Sequence, residues 1–333
     1  EIGSGLVGSE MCIRDRSNEV ILIMNEISKM NYALELLSPR VRQALMRVGS
    51  GERDKISEIH MRKKRYLSAA LYGKEYFITC DGRLMNSSEQ AFPVSDEDMT
   101  YTISKAFKGS VHSFPREMSQ GYITCEGGNR VGFCGTAVCD PQTLCVTNVK
   151  NISSINIRIA REVLGCASQI YRKAFGEGIS SLIIASPPCG GKTTVLRDLC
   201  RMLSEQYRIS IIDERSELAC VSEGAPQNDV GYRSDIFNSY EKSNAVMTSV
   251  RVMSPEILVC DEIGSKGDLE ALEYAVNSGV RLVCSCHAAS MDELRKRPAV
   301  SRLIKERVFD YAAFLGTGSL CGKLTAFNKL RQC

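Results

Sequence analysis

Residues 179–194 join a buried-type strand to a glycine-rich turn and then to a helix. They read Ile-Ser-Ser-Leu-Ile-Ile-Ala-Ser-Pro-Pro-Cys-Gly-Gly-Lys-Thr-Thr, and from Val195 onward apolar residues recur at the spacing of an amphipathic helix. A strand, a tight loop, Gly-Lys-Thr and a helix in this order are the context of a phosphate-binding loop. This order predicts an α/β fold, because a strand followed by such a crossover helix belongs to a parallel sheet.

The loop between this strand and helix is predicted to bind the phosphates of ATP. Backbone N–H groups at a helix N-terminus attract anions, Lys192 is expected to reach the β- and γ-phosphates, and Thr193 is expected to ligate Mg²⁺. Ser186 replaces the usual first glycine, and a serine fits there if its φ is negative. Two alternatives stay open, a glycine-rich turn without a ligand and a loop that binds ATP but turns it over poorly. The residues predicted to contact the nucleotide are Ser186, Pro187, Pro188, Cys189, Gly190, Gly191, Lys192, Thr193 and Thr194.

A second apolar strand ends in the carboxylates that ATP hydrolysis needs. Residues 257–262 read Ile-Leu-Val-Cys-Asp-Glu, a strand that runs into two acidic residues. Asp261 is predicted to hold Mg²⁺ through water, and Glu262 is predicted to polarise the attacking water. The alternative is a strand that ends in a solvated acidic turn.

Two further strands also end in polar side chains. The strand 209–212 is followed by an acidic stretch from Asp213 to Glu217, and both residues are predicted to take part in catalysis. The strand 280–286 is followed by His287, which is predicted to sense the γ-phosphate, although a lone histidine is often a hydrogen-bonded filler. Ligands of open parallel sheets bind where the strands end. The residues expected to cluster at that edge are Lys192, Asp213, Asp261 and His287.

The order of these motifs resembles the secretion-superfamily ATPases, which power type II and type IV secretion and pilus motors. Within that superfamily the chain resembles the stage III sporulation protein AA family over residues 25–330. The resemblance implies a RecA-like P-loop ATPase core with a parallel sheet, preceded by a smaller α+β domain, with ATP and Mg²⁺ as cofactors. Besides the motifs above, it rests on the stretches 121–124, 127–132, 156–162, 226–231, 253–255 leading into 261–264, and 268–272 through 285–287.

The resemblance also implies an assembly and a role. A homo-hexamer is expected. Arg158 would neutralise charge on the γ-phosphate of the nucleotide, and in many such motors the arginine comes from the neighbouring subunit. An ordinary salt bridge is an equally open reading of Arg158. The implied role is to energise a sporulation channel complex between mother cell and forespore. The chain would act in the cytoplasm on the mother-cell side, attached to the membrane through a membrane-embedded partner.

The composition of the chain argues against a membrane-spanning protein, a nucleic-acid-binding protein and a disulfide or zinc protein. The longest apolar runs are far shorter than the roughly 18 residues that a spanning helix needs, so no direct membrane span is expected. The formal net charge of +3 is too small to argue for nucleic acid as a partner. The 15 cysteines contain no Cys-x-x-Cys pair and accompany 3 histidines, which favours reduced thiols in a cytosolic protein over disulfides or zinc.

Two other functions stay open on sequence alone. The first is a nucleic-acid-directed RecA-like ATPase, since aromatic residues of the N-terminal half could stack on bases. The second is a nucleotide-gated scaffold that binds ATP without hydrolysing it. The aromatic residues in question are Tyr66, Tyr72, Tyr76 and Phe77.

The chain is long enough for two domains. Residues 1–24 are interpreted as a non-native or disordered leader, and 25–150 as an N-terminal α+β domain that opens with a helix over 25–50. A linker over 151–178 is expected before the RecA-like domain over 179–333. The other predicted elements are a helix over 96–110 with Ser95 as N-cap, strands over 181–186, 208–213, 256–261 and 280–286, helices over 192–205, 241–253, 267–278 and 290–306, and a closing hairpin over 309–327.

Overall fold

A computed structural model describes residues 29–263 and 266–330 of the chain. The interpreted leader over residues 1–24 lies outside the described residues. Internal contacts divide the chain into two units, and the division falls between Glu162 and Val163. Among helices of the described ranges, none combines the length and the hydropathy that crossing a bilayer demands.

The first unit combines short helices with one antiparallel sheet of seven strands. Its helices are α1 (residues 29–35), α2 (Pro39–Met46), α3 (Ser50–Arg53), α4 (Asp96–Ala106) and α5 (Pro115–Gln120), with 3₁₀ turns at Val111–Ser113 and Glu126–Gly128. Its strands are β1 (Ile56–Arg62), β2 (Ser68–Leu71), β3 (Lys74–Ile78), β4 (Leu84–Met85), β5 (Tyr122–Thr124), β6 (Arg130–Cys139) and β7 (Val146–Arg158).

Strand β1 lies at the centre of this sheet, whose order is β4-β3-β2-β1-β7-β6-β5. Ile59 is opposite Ala69 of β2 and Ile157 of β7, and all three side chains are fully buried. Half-buried His60 and buried Met61 follow Ile59, as expected for a strand with one face on the core. The sheet therefore packs one face against the helices of its own unit.

The single helix predicted over 25–50 is wrong in its described part, where two helices replace it. α1 covers residues 29–35, and α2 starts at Pro39. Ser38 has an extended ψ of 152°, and its side chain accepts a hydrogen bond from the Val41 N–H. A residue that precedes proline disfavours the helical region, so the local chemistry outweighs the apolar periodicity.

The predicted N-cap of α4 is confirmed. Ser95 Oγ accepts from the Asp98 N–H at 3.2 Å, and the Asp98 carboxylate accepts from the Ser95 N–H at 2.9 Å. This reciprocal pair satisfies two backbone donors that the helix itself cannot pair. The helix ends at Ala106 rather than at residue 110.

The second unit is an α/β structure whose sheet also has seven strands. Its helices are α6 (Ser168–Phe175), α7 (Lys192–Leu203), α8 (Lys242–Val252), α9 (Lys266–Asn277), α10 (Met291–Lys296) and α11 (Pro298–Lys305), with a 3₁₀ turn at Gly318–Leu320. Its strands are β8 (Leu182–Ser186), β9 (Ile209–Asp213), β10 (Ser234–Asn238), β11 (Ile257–Cys260), β12 (Arg281–His287), β13 (Tyr311–Leu315) and β14 (Leu324–Lys329). The stretch 151–178 therefore holds the end of β7 and all of α6.

The sheet of the second unit has the order β10-β9-β11-β12-β8-β13-β14 and is parallel except for β14. Every residue of β8, β9 and β11 is buried. Continuous burial is typical of parallel strands whose two faces are both covered by helices. The predicted α/β class with a parallel sheet is thus confirmed.

The four predicted strands and three of the four predicted helices of this unit are confirmed, with ends that differ by one or two residues. The fourth helix, over 290–306, is wrong as a single element because it is split into α10 and α11. Arg297 has an extended backbone (φ −83°, ψ 117°), and Pro298 starts the next helix. The break has the same cause as the one before Pro39, the backbone restriction of the residue before proline.

The order of the sheet brings the motif-bearing strands together. β9, β11, β12 and β8 are consecutive neighbours, so their carboxyl ends lie along one edge. Asp213 ends β9, Asp261 follows β11, and His287 ends β12 opposite Ser186 of β8. This edge is where an open parallel sheet binds its ligands.

Candidate functional site

The loop after β8 is shaped by a serine and a glycine that face each other. Ser186 is fully buried, its φ lies outside the left-handed region, and its Oγ donates to the Pro187 carbonyl at 2.8 Å. A Cβ atom on Gly190 would lie 2.2 Å from Ser186 Oγ. Serine at position 186 therefore requires glycine at position 190, and the departure from the usual motif is absorbed within the loop.

The loop then turns through two residues in the left-handed region. Cys189 has a φ of 58° and Gly191 a φ of 80°. The Gly190 carbonyl accepts from the Gly322 N–H at 3.1 Å, which ties the loop to the β13–β14 connection. Gly191 is the N-cap of α7 and gives it no side-chain hydrogen bond. The first N–H groups of α7, from Lys192 onward, therefore present a positive end to an anion.

Lys192 is a buried cation with neutral partners. Its Nζ lies 3.3 Å from the Ser186 carbonyl, 3.4 Å from the Pro187 carbonyl and 3.0 Å from His287 Nδ1. Within the described ranges no carboxylate forms an ion pair with this ammonium. Burial lowers the pKa of Lys192, while Asp261 and Glu262 act in the opposite direction. A buried ammonium without a paired anion is electrostatically suited to a phosphate.

His287 connects this lysine to Glu262. A charged ammonium can only donate, so His287 Nδ1 accepts from Lys192 and the ring proton resides on Nε2. That Nε2 lies 3.9 Å from Glu262 Oε1. The imidazole therefore lies between the ammonium and the carboxylate, with one ring nitrogen facing each.

Asp261 meets two hydroxyl groups. Ser285 Oγ donates to Asp261 Oδ1, and Thr193 Oγ1 lies 3.5 Å from Asp261 Oδ2. Carboxylate and hydroxyl oxygens are the donors that Mg²⁺ prefers. Thr193 and Asp261, both predicted as metal ligands, are therefore brought together by α7 and β11.

Glu262 has an unusual backbone and a partly open side chain. Its φ of 40° is in the left-handed region, and its side chain is 34% exposed. One carboxylate oxygen lies 3.8 Å from the Arg215 guanidinium and the other faces His287. The carboxylate is accessible at the same edge as Lys192, so it can act on a water molecule there.

Asp213 is turned toward the backbone at the end of the acidic stretch and just after it. It is 1% exposed, and its two oxygens accept from the N–H groups of Glu217, Leu218 and Ala219 at 2.8–3.1 Å. Burial raises the pKa of Asp213, and these backbone donors oppose the shift. The geometry suits a side chain that holds the turn. The catalytic roles of Asp213 and Glu217 stay predictions.

Three further residues predicted to act on the nucleotide are Pro188 and Thr194 of the second unit and Arg158 of the first. Pro188 is exposed, and Thr194 lies in the first turn of α7, where its carbonyl accepts from Cys166 Sγ at 3.8 Å. Arg158 belongs to the first unit, at the end of β7, and its side chain is 71% exposed and 4.0 Å from Glu58. The nucleotide contacts of these residues stay predictions.

The residues at this edge fit a nucleoside triphosphate with Mg²⁺. The uncapped N-terminus of α7 and the neutral surroundings of Lys192 suit phosphate oxygens. Thr193 and Asp261 offer hard oxygen ligands, and Mg²⁺ in such sites is completed by substrate phosphates and water.

Three residues of the site were not predicted from the sequence. Ser285 bonds Asp261, Arg215 faces Glu262, and Lys242 donates to the Glu262 carbonyl. Strand alternation could have indicated Ser285, because it lies two residues before His287 and so on the same face. Nothing in the local pattern around Lys242 marks it as different from a solvated lysine at a helix start.

Comparison with known proteins places the chain. The family model described as sporulation stage III, protein AA, matches residues 27–331. The stage III sporulation protein AA of Bacillus subtilis (strain 168) is 33% identical over 287 residues, which cover 84% of this chain and 89% of the relative. The pilus retraction motor PilT, solved with bound ADP, matches the fold with a TM-score of 0.52 and 13% identity, over 78% of this chain and 74% of that chain. The chain therefore belongs to the stage III sporulation protein AA family.

Proposed function

We propose that the chain is an ATP-hydrolysing motor that depends on Mg²⁺. One observation carries the proposal, the buried ammonium of Lys192 with neutral partners at the head of α7, beside the carboxylates Asp261 and Glu262. A phosphate anion would pair with this ammonium and with the N–H groups at the start of the helix. The family membership and the fold shared with the pilus motor support the same reading.

Each proposed role follows from the chemistry of a side chain. Lys192 and the loop N–H groups would hold the phosphates and neutralise charge on the transferred phosphoryl oxygens. Glu262 would take the proton of a water molecule, with His287 orienting the carboxylate. Thr193 and Asp261 would hold Mg²⁺, which supplies charge neutralisation when bound.

The biological role is proposed from the family. We infer that hydrolysis energises a sporulation channel complex between mother cell and forespore, because the Bacillus subtilis relative is a stage III sporulation protein. The working form would be a homo-hexamer on the cytoplasmic, mother-cell side, attached to a membrane-embedded partner. Arg158, exposed at the end of β7, would reach the nucleotide of a neighbouring subunit.

Phosphate release from ATP tests the activity. The purified protein should hydrolyse ATP with Mg²⁺, Lys192→Ala should lose nucleotide binding, and Glu262→Gln should keep binding but lose hydrolysis by about 10²-fold or more. Lys305→Ala, an exposed lysine at the end of α11, is the matched control and should behave as wild type. Equal hydrolysis by all four proteins would refute the assignment of these residues.

Phosphate release, combined with measurements of assembly and of nucleic-acid binding, separates the alternative functions. ATP-dependent assembly without phosphate release would identify a nucleotide-gated scaffold. Hydrolysis stimulated by single-stranded DNA or RNA, with binding that weakens steeply as salt rises, would identify a nucleic-acid-directed ATPase. Light scattering with and without a non-hydrolysable ATP analogue tests the hexamer, which predicts a mass of six chains.

A further inference from the structure

A buried lysine away from the phosphate loop holds the backbone of Glu262. Lys242 is the first residue of α8, its side chain is 8% exposed, and its Nζ donates to the Glu262 carbonyl at 2.7 Å. The same ammonium lies 3.4 Å from Glu214 and 3.4 Å from Asp268. One side chain therefore links the segment after β9, the turn after β11 and the first turn of α9.

The position of this charge is unfavourable on two grounds. A buried ammonium loses hydration, and a cation in the first turn of a helix opposes the helix dipole. Burial alone would lower the pKa of Lys242, but Cys260, Asp268 and Glu214 raise it above its ordinary value. The ammonium therefore stays charged at neutral pH. Its two ion pairs and its bond to the Glu262 carbonyl offset these costs, so the charge is kept here by its contacts with the residues around Glu262.

The backbone at Glu262 needs external support. A non-glycine residue in the left-handed region is strained, and such residues persist only where their surroundings hold them. The Glu262 N–H donates to Ser285 Oγ at 3.2 Å, and its carbonyl accepts from Lys242. These two bonds fix both sides of the residue, and with them the direction in which its carboxylate leaves the chain.

We propose that Lys242 is a positioning residue for ATP hydrolysis, which fixes the left-handed turn at Glu262 and keeps that carboxylate aimed at the attacking water. The inference rests on the proposed ATPase function. Since the polar contacts of Lys242 are with Glu262, Glu214 and Asp268, its loss should act on the chemical step and leave nucleotide binding in place.

The test compares Lys242→Met with the double variant Lys242→Met/Asp268→Asn in the full-length protein. The single variant should lower kcat by about 10²-fold, the effect of a small misplacement of a catalytic group, with KM nearly unchanged. It should also unfold at lower urea concentration, because the buried carboxylate of Asp268 loses one ion-pair partner. The double variant removes that carboxylate charge, so it should regain stability while kcat stays low.

The outcomes separate this inference from the proposed function. If kcat returns together with stability in the double variant, Lys242 is merely structural and the inference is wrong. A rise in KM with an unchanged kcat would also overturn it. Lys305→Met is the matched control and should leave kcat, KM and stability unchanged. Failure of the proposed function appears elsewhere, as a wild-type protein that binds ATP analogues but releases no phosphate, and the inference then falls with it.

Discussion

The two sheets of the molecule differ in which parts of their strands are open to solvent. In β8 and β9 of the second unit every residue is buried, so only the strand ends are accessible. In β6 of the first unit no residue after Phe133 is buried. This second half of β6 pairs only with β7, so its side chains are open to solvent. A parallel sheet covered on both faces confines chemistry to one edge, whereas an antiparallel ribbon exposes side chains along its length.

The two units also differ in how the N-termini of their helices are capped. α4 of the first unit begins with a reciprocal cap from Ser95 and Asp98. α7 of the second unit begins at Gly191, which offers no side-chain cap. The cap satisfies N–H groups at the start of α4, whereas the uncapped start of α7 leaves N–H groups that a bound anion could satisfy.

The largest effect is expected at the phosphate loop. Gly190→Ala would place a Cβ 2.2 Å from Ser186 Oγ, so the loop must shift. Overpacking of about 1–3 kcal/mol corresponds to a loss of about five- to 150-fold in nucleotide affinity. Equilibrium binding of a fluorescent ATP analogue measures this loss. Gly51→Ala, on α3 of the first unit, is the control, because a Cβ there has no atom within 4 Å.

A second substitution identifies the cause. Ser186→Gly removes the side chain that the new Cβ would meet, so the double variant Ser186→Gly/Gly190→Ala should regain most of the lost affinity. A double variant as weak as Gly190→Ala would show that the serine–glycine complementarity does not determine the shape of the loop.

The second effect compares burial in the two sheets. Val259 in β11 is fully buried, and Val259→Ala should lower the free energy of unfolding by about 2 kcal/mol. Val146 in β7 is 38% exposed, and Val146→Ala should change it by less than about 0.5 kcal/mol. Hydrogen exchange of peptides from each sheet locates the loss. Equal losses at both positions would contradict the difference in burial.

Alkaline pH should weaken the second unit more than the first. Burial raises the pKa of Cys125 in the first unit to about 12, and in the second it raises that of Cys166 to about 12 and that of Cys200 further. Above the ordinary pKa of 9.0 the unfolded chain loses these protons and the folded chain keeps them. The free energy of unfolding therefore falls as pH rises, by about 1.4 kcal/mol per pH unit and thiol.

Urea unfolding between pH 8 and pH 11, followed by hydrogen exchange in each unit, measures these slopes. In Cys200→Ala, the free energy of unfolding of the second unit should fall less steeply with pH, by the contribution of one thiol, about 1.4 kcal/mol per pH unit. A first unit that loses stability as steeply as the second would contradict the account of buried thiols.

The smallest effect is expected at the cap of α4. Ser95→Ala removes the acceptor for the Asp98 N–H and should lower the stability of the first unit by about 1 kcal/mol. Thr100→Ala on the exposed face of the same helix should cost less than about 0.5 kcal/mol. If thermal unfolding shows the same shift for both variants, the cap contributes nothing beyond ordinary helix propensity.

Most of the second unit could be predicted because its strands are apolar runs that end in polar side chains. Leu182–Ser186 and Arg281–His287 both have this form, and their buried interiors leave little choice of element or direction. Less of the first unit could be predicted. Its strand β1 pairs with β7, which lies about a hundred residues later in the chain, and packing decides the register of that pair.

The motif residues of the site could be predicted from the sequence, but the contacts that hold them in place could not. Lys192 and Asp261 stand at fixed positions relative to a strand and a turn, so their proximity follows from the topology. The fit between Ser186 and Gly190 depends on atomic distances within the loop. The bond from Lys242 to the Glu262 carbonyl depends on how α8 packs, and it concerns a backbone atom that carries no sequence pattern.

Protection of Cys189 from alkylation tests the central claim most directly. Cys189 is an exposed thiol on the loop, and Cys80 is an exposed thiol of the first unit. With Mg²⁺ and ATP, mass spectrometry should show slower alkylation of Cys189 and an unchanged rate at Cys80, and Lys192→Ala should abolish the protection. Alkylation of Cys189 at the same rate with and without ATP would contradict a phosphate-binding site at this edge of the sheet.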